Sequence, residues 1–529
     1  MLDADLGGVL DLLGAAGQPS RTVGRHSHTG RADALICYTP ETHAVVKCAN
    51  IRPMTPAEAQ GVSVENSNPI AAEHYGAKTL AVEPGGIEQI PDSERHGSPV
   101  NLLWTWMSPN LEFATVAVGI IGPLFFGLSF GQTLGAIVLG TVLGSATHGV
   151  LSSWGPQHGL AQMVLSRTGF GFLGNILPAG LNALVAGVGW FAVNSISGAL
   201  ALHALAGGLP SWLCLVLVVA AQLLIAFLGH NLVHAFERYA LPLLAVVFAL
   251  GLYYVFSKAD LGAAGKPVPG AFLIQTAAAF GYACGWNPYA SDYTRYLPRT
   301  SKARSVGLFA ALGITISCIV LEAAGAAMVS AAGKAAAVDP GVYTGLMPTW
   351  LGDLTLLCIA LGAVAANALN IYSGAMSFLA LGISLPPHRA RAIVAIVFGL
   401  LGLVLALFGL QNAGTNYENF LLVIAYWIGP WLGVVLTDRF LRRGDPKAEV
   451  SAIATDRRYV NWAGAIAMFV AMVVSIWLFS NQEMYTGVIV KASPSVGDIT
   501  FLVGFVLAAG LYAVLRRLLP ARTLSGRAA

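Results

Sequence analysis

Charge is scarce in this chain, at 10% of 529 residues against 56% hydrophobic. A soluble chain of this length would expose far more, so the composition excludes a water-facing globule and implies lipid as the main solvent. Cysteine is sparse too. Of the six, Cys214, Cys284, Cys318 and Cys358 fall within apolar runs, where a lone thiol acts as a small apolar group, and no disulfide framework is expected. Cys37 and Cys48 are expected as reduced thiols. No cleavable leader is recognisable either: MLDADLGGVLDLLGAAG places acids before a short apolar patch, the wrong order for a signal peptide. Within the apolar runs there is no His-rich or paired-acid constellation of the kind an intramembrane enzyme needs. A channel would be expected to present a filter or ring motif, and none is found.

What is present is a series of long apolar runs. Windows of about 20 residues, the length of helix that crosses roughly 30 Å of hydrocarbon, give about twelve candidate spans from Asn101 onward. The fold class expected is an all-α integral membrane protein. Loops are numbered here by the spans that they join. The even loops and the C-terminus carry eighteen Lys and Arg, among them Arg167, Arg295, Arg299, Arg439 and Arg516, whereas the odd loops carry four, Lys258, Lys266, Lys334 and Lys491. That asymmetry places both termini in the cytoplasm of a plasma or inner membrane protein. It reads as topology, with no nucleic-acid partner.

Residues 1–95 are polar and rich in Gly, Pro, Ser and Thr, and read as a mostly disordered tail. His26, His28, Cys37, His43 and Cys48 match no common metal-ligand spacing, so neither metal nor cofactor is expected. A downstream start, for instance at Met54, would remove most of the tail. Residues 96–437 form the expected transporter core, with repeats at 101–257 and 268–437. A basic loop comes next at 438–460, then two further spans at 461–517 and a tail at 518–529. Ser152 to Asn175 reads as a short interfacial helix with Trp154 and Arg167 at headgroup level.

Two spans are interrupted. The first contains Ser108-Pro109-Asn110 and the sixth contains GWNPYASDY, with Asn287-Pro288 after Gly285. Unpaired backbone in lipid costs several kcal/mol per group, so a break needs protein or a cavity to satisfy it. Interrupted segments at corresponding positions of two halves point to a binding site, although a simple proline kink would also explain either one. In the third span Trp190 and Asn194 are four apart and share a helix face. An indole plane beside an amide suits a flat, hydrogen-bonding ring, or else serves packing and an interhelical tie. The eighth span carries Asn367, Asn370 and Ser373, which either tie helices or line a polar cavity. Glu112, Glu322 and Asp292 are the acidic groups within the spans. They are candidates for coupling or gating, with structural carboxyls as the other reading, and Asp292 is expected to pair with Arg295 or another cytoplasmic group.

GIEQIPDSERHG, WTWMSPNLEF, GPQHGLAQMVLSRTGFGFLGN, GWFAVN, GWNPYASDYTRYLP and NIYSG, in that order, resemble the nucleobase:cation symporter family that includes the purine and cytosine permeases. The resemblance runs from about Gly86 to the C-terminus and leaves the N-terminal tail without a counterpart. It implies a LeuT-like fold of two inverted five-helix repeats plus two helices, and import of a nucleobase, cytosine or a purine, by alternating access with cation symport. By position, Trp190 and Trp286 match the stacking aromatics. Asn194 and Asn370 match the amides that contact the ring, and Ser108 matches a polar contact at the first break, where Asn110 is a further candidate. Sodium-coupled relatives carry hydroxyls about one turn before the eighth-span Asn, where this chain has Val364 and Ala365. A co-transported proton is therefore expected rather than sodium. Allantoin, hydantoin, uracil or a thiamine precursor is the alternative substrate.

Overall fold

The computed structural model describes residues 35–38, 45–48, 86–228, 230–383, 385 and 392–523, and the chain divides into two units, Met1–Ala72 and Glu73–Ala529. In the first unit, Leu35–Tyr38 and Val45–Cys48 pair as antiparallel strands. The remainder of residues 1–72, including His26, His28 and His43, lies outside the described residues, and so does the expectation of disorder there.

The second unit is helical, as the lipid environment requires of a chain with no closed barrel. Among the described residues, seven helices are long and apolar enough to cross a membrane, or eight if the bent pair Asn101–Asn110 and Phe113–Phe126 is counted as one span. One of the seven, Ala395–Leu441 at 47 residues, is divided by a 3-10 turn at Leu410–Asn412, where Asn412 leaves helical geometry at φ −137°, ψ 54°. The helices Ser211–Leu228, His230–Lys258 and Ala271–Cys284 complete an order consistent with about twelve spans. Local chemistry sets several of the ends. Gly127 adopts φ 68° after the first span, and Ser129 with Gln132 forms a capping box that starts the second, Phe130–Ser152.

The stretch from Ser152 to Asn175 departs from the expected single interfacial helix. It forms three short helices, Gly155–His158, Gln162–Leu165 and Arg167–Gly174, and Trp154 and Arg167 are buried. Arg167 is drawn inward by carbonyls that lack partners where the eighth span, Thr349–Ala380, ends. Its Nη2 donates to Ala380 O at 2.8 Å.

The first, second, sixth and seventh spans approach one another backbone to backbone. A Cβ on Gly119 would lie 1.7 Å from Glu322 O, one on Gly325 1.9 Å from Val116 O, and one on Gly140 2.3 Å from Thr276 O. Small residues permit such contact, which supplies dispersion energy where lipid offers no hydrophobic drive.

Residues 86–97 form a strap across one end of this group. Ile90 N donates to Gly159 O at 3.0 Å and His96 N to Tyr296 O at 2.7 Å. Arg95 reaches Pro156 O at 2.8 Å, and Arg295 Nη1 returns to Gly86 O at 2.9 Å. The strap thereby joins the end of the sixth span to the turn after the second.

Candidate functional site

The site begins with what Pro109 removes. Proline has no N–H, so Thr105 O loses its helical partner, and the Ser108 hydroxyl donates to that carbonyl at 3.3 Å. One residue on, Asn110 Nδ2 donates to Trp106 O at 2.7 Å. The chain then leaves the helix at Leu111 (ψ 63°) and Glu112 (φ −151°, ψ 172°) before Phe113–Phe126 resumes, and the two halves meet at 62°. Ser108 and the Asn110 amide nitrogen thus satisfy backbone, while Asn110 Oδ1 accepts from Trp286 Nε1 at 3.0 Å.

The sixth span is interrupted differently. Gly285, Trp286 and Ala290 all keep right-handed helical torsions, and Asn287–Tyr289 tightens to a 3-10 turn. Pro288 costs the helix one bond without opening it. Asn287 Nδ2 reaches across to Thr147 Oγ1 of the second span at 2.7 Å. The corresponding breaks expected from the sequence are therefore unequal.

In the third span a π-helical stretch, Val185–Trp190, leads into Phe191–Ala206, and such bulges re-aim side chains. Trp190 is met edge-on by Tyr282 at 5.5 Å and by Phe420 at 5.2 Å. Gly285 allows the approach of the sixth span, because a Cβ there would lie 3.1 Å from Trp190 Cζ2. Asn194 Nδ2 donates to Asn367 Oδ1 at 3.0 Å, and Asn370 Nδ2 donates to the same oxygen at 3.3 Å. Asn370 Oδ1 accepts from Tyr289 at 3.2 Å, and Tyr289 lies edge-on to Trp286 at 5.7 Å. Asn367 and Tyr289 thus join Asn194 and Asn370 to Trp286 and Asn110, and Trp190 is joined to Asn110 through Tyr282, whose hydroxyl bonds Thr115, which in turn donates to Asn110 O. All five proposed ligands are buried or nearly so, whereas Ser108 is half-buried.

Of the three acids, Glu112 Oε2 accepts from Ser197 Oγ at 3.1 Å and Glu322 Oε2 from Thr141 Oγ1 at 3.2 Å. Asp292 Oδ1 accepts from the backbone N–H of Gln162 at 2.8 Å. Arg295, the partner expected for Asp292, is within electrostatic reach of it and also donates to Gly86 O, to Tyr296 and to Tyr372. A cavity of about 430 Å³ is lined by Phe113, Ala114, Ser197, Tyr417 and Phe420, and reaches Met484 on the face opposite the strap. Among the described residues, no cluster of three or more His, Cys, Asp or Glu is placed to hold a metal ion.

Residues 89–504 match the family described as permease for cytosine/purines, uracil, thiamine, allantoin. The chain belongs to this permease family. It is 30% identical over 458 residues to the purine-cytosine permease fcyB of Emericella nidulans, spanning 83% of this chain and 89% of that protein. It is equally 30% identical over 454 residues to the putative purine-cytosine permease YxlA of Bacillus subtilis, spanning 83% and 96%. The inward-facing conformation of Mhp1 superimposes with a TM-score of 0.66 at 21% identity, covering 84% of this chain and 94% of that one. That likeness places the permease in the LeuT-like transporter fold. As a member of this family the chain is a multi-pass membrane transporter and not an enzyme.

Sequence reasoning missed several residues of the permease interior. Tyr282 and Tyr289 are seven apart, two helical turns: Tyr282 lies against Trp190 and bonds Thr115, and Tyr289 lies against Trp286 and donates to Asn370. His148 lies fully buried in the second span, with its ring 4.2 Å from Trp106 and its nitrogens beside Trp286 and Asn287. The signal for His148 was present in the sequence, because an ionisable side chain inside an apolar run is a functional suspect by default.

Proposed function

We propose that this permease is a secondary active importer of a nucleobase, cytosine or a purine, by cation symport with a proton as the coupled ion. The observation that carries the reading is the grouping of two indoles, Trp190 and Trp286, with the amides of Asn194, Asn370 and Asn110 in one buried set joined by hydrogen bonds and ring contacts. Indoles supply planes for stacking, and amides offer both donors and acceptors to the edge of a heterocycle. Proton rather than sodium coupling is supported by Val364 and Ala365, which offer no side-chain oxygen to a hard cation. The lysine and arginine asymmetry supports a plasma or inner membrane location, with the strap and both termini on the cytoplasmic face.

Import of another ring, such as allantoin, hydantoin, uracil or a thiamine precursor, is the second reading. It is favoured by the breadth of the family description, because amides alone do not select among such rings. Uptake of radiolabelled cytosine, adenine, hypoxanthine, uracil and allantoin into transport-deficient cells, with and without protonophore and sodium, tests both. Cytosine or purine uptake abolished by the protonophore and indifferent to sodium is the expected result. A sodium requirement with full protonophore resistance sinks the coupling assignment.

A further inference from the structure

The three acids singled out from the spans differ in what surrounds them, and the difference selects one; Asp438 and Asp498, which are also buried, are held by Arg442 and by Tyr426. Glu322 and Asp292 are fully enclosed, and neither they nor their partners Thr141 and Gln162 border the cavity. Glu112 is 2% exposed, but its partner Ser197 lines the cavity, as do Phe113 and Ala114, the next two residues in the chain. Glu112 therefore sits one hydroxyl away from a chamber that reaches the surface opposite the strap.

Its position also connects it to the ring-binding set. Glu112 is the extended residue at the first-span break, two positions from Asn110, whose side-chain oxygen Oδ1 accepts from Trp286. The backbone N–H groups of Phe113 and Ala114, at the start of the next helix, lie near its carboxyl, where the helix dipole favours an anion. The eighth span closes over it, since a Cβ on Gly362 would lie 3.4 Å from Glu112 Cβ. Tyr282 of the sixth span and Tyr417 of the tenth are within electrostatic reach, and both also feel Glu322 and Cys318 of the seventh. The third and eighth spans present Ser197 and Gly362, which do not titrate. Tyr417 is bonded to Ala114 O at 2.9 Å and Tyr282 to Thr115 at 2.5 Å, so each has a partner other than Glu112.

We infer that Glu112 is the group that binds the coupled proton, loaded from the cavity through the Ser197 hydroxyl. This rests on the proton-symport reading above. In the step, a hydronium ion in the cavity gives a proton to Ser197 Oγ as Ser197 passes its own hydrogen to Glu112 Oε2. One water, one unchanged serine and one neutral carboxylic acid result. Neutralising Glu112 removes a buried charge from the junction of the first, third and eighth spans, and that junction can then rearrange without carrying an ion through the apolar interior. Release to water on the opposite face regenerates the carboxylate and a hydronium ion.

The test uses purified full-length protein in liposomes with radiolabelled cytosine, or with whichever ring of the panel the wild type carries fastest. With an inward proton gradient, the wild type accumulates substrate and protonophore abolishes accumulation. Sodium-driven, protonophore-resistant accumulation by the wild type overturns the symport reading itself, and this inference with it. Given a proton-driven wild type, Glu112→Gln is expected to lose accumulation by tenfold or more while retaining exchange of external label against internal unlabelled substrate. Gradient-driven accumulation by Glu112→Gln at the wild-type level overturns the assignment. So does a selective loss of accumulation in Glu322→Gln while Glu112→Gln accumulates normally. Should Glu112→Gln fail to reach the membrane, Ser197→Ala decides: accumulation several-fold lower at external pH 7.5 and recovering at pH 5.5 supports the relay, and an unshifted pH profile refutes it.

Discussion

The first and sixth spans each carry an Asn beside a Pro, yet one opens and the other only tightens. At the first, two residues leave helical torsion space and the axis turns by 62°. At the sixth, the backbone remains helical through Trp286 and Ala290. Proline alone removes one hydrogen bond. The larger opening comes from the side chains on either side of Pro109, Ser108 and Asn110, which cover the freed carbonyls. A helix in lipid opens as far as its own side chains can satisfy the exposed backbone. The sixth span has no such set, and Asn287 spends its amide on Thr147 of the second span instead.

The comparison can be broken most directly with Asn110→Ala and Asn287→Ala. The first leaves Trp106 O and Trp286 Nε1 without partners, each costing about 1–3 kcal/mol when buried, and uptake at low substrate concentration is expected to fall on the order of a hundredfold. The second leaves Thr147 still donating to Leu143 O and Gly144 O, and a loss of only a few-fold is expected. Equal losses in an uptake assay would show the two breaks to be equivalent.

Trp286→Phe sharpens the link between the breaks. It keeps an aromatic plane but removes the donor to Asn110, so apparent affinity is expected to fall about tenfold, the worth of a buried hydrogen bond. Combined with Asn110→Ala it should add little, because residues that share one bond are not additive; full additivity of the two losses would disprove the coupling.

The smallest effect is expected from Pro288→Ala. The local backbone is already helical, so thermal stability should stay the same or rise slightly, with transport within about threefold of wild type. A collapse of uptake with intact stability would assign the sixth-span proline a mechanical role that its torsions do not indicate.

Much of the fold was legible because lipid leaves few choices: apolar length gave the spans, and the Ser-Pro-Asn and Asn-Pro motifs located the interruptions. Trp190 and Asn194 were legible from their four-residue spacing. The unequal character of the two breaks was not, because it depends on whether Asn110 and Asn287 turn toward their own helix or a neighbour. Asn367 was read as one polar residue of a row, and only the packing of the third against the eighth span makes its oxygen the shared acceptor for Asn194 and Asn370. Trp154 and Arg167 look interfacial by composition. The unpaired end of the eighth span draws Arg167 inward, and Arg439 lies over the Trp154 ring at 5.4 Å.

The glycine contacts among the first, second, sixth and seventh spans have a mechanical consequence. Where backbone lies against backbone there are no rotamers to change, so those helices are expected to shift together. The third, ninth and tenth spans meet through rings instead: Phe398 lies over Gly187, Phe420 over Gly189, and Phe191 over Gly402. A ring can swing about its Cβ, so these ring contacts yield more readily than the glycine seam, which the tenth span joins where a Cβ on Gly281 would lie 2.2 Å from Leu421 O. The protein is keyed like a lever along one seam and jointed along the other, and a methyl group added at Gly119 would act less as a local cavity defect than as a wedge driven along the stiff arm.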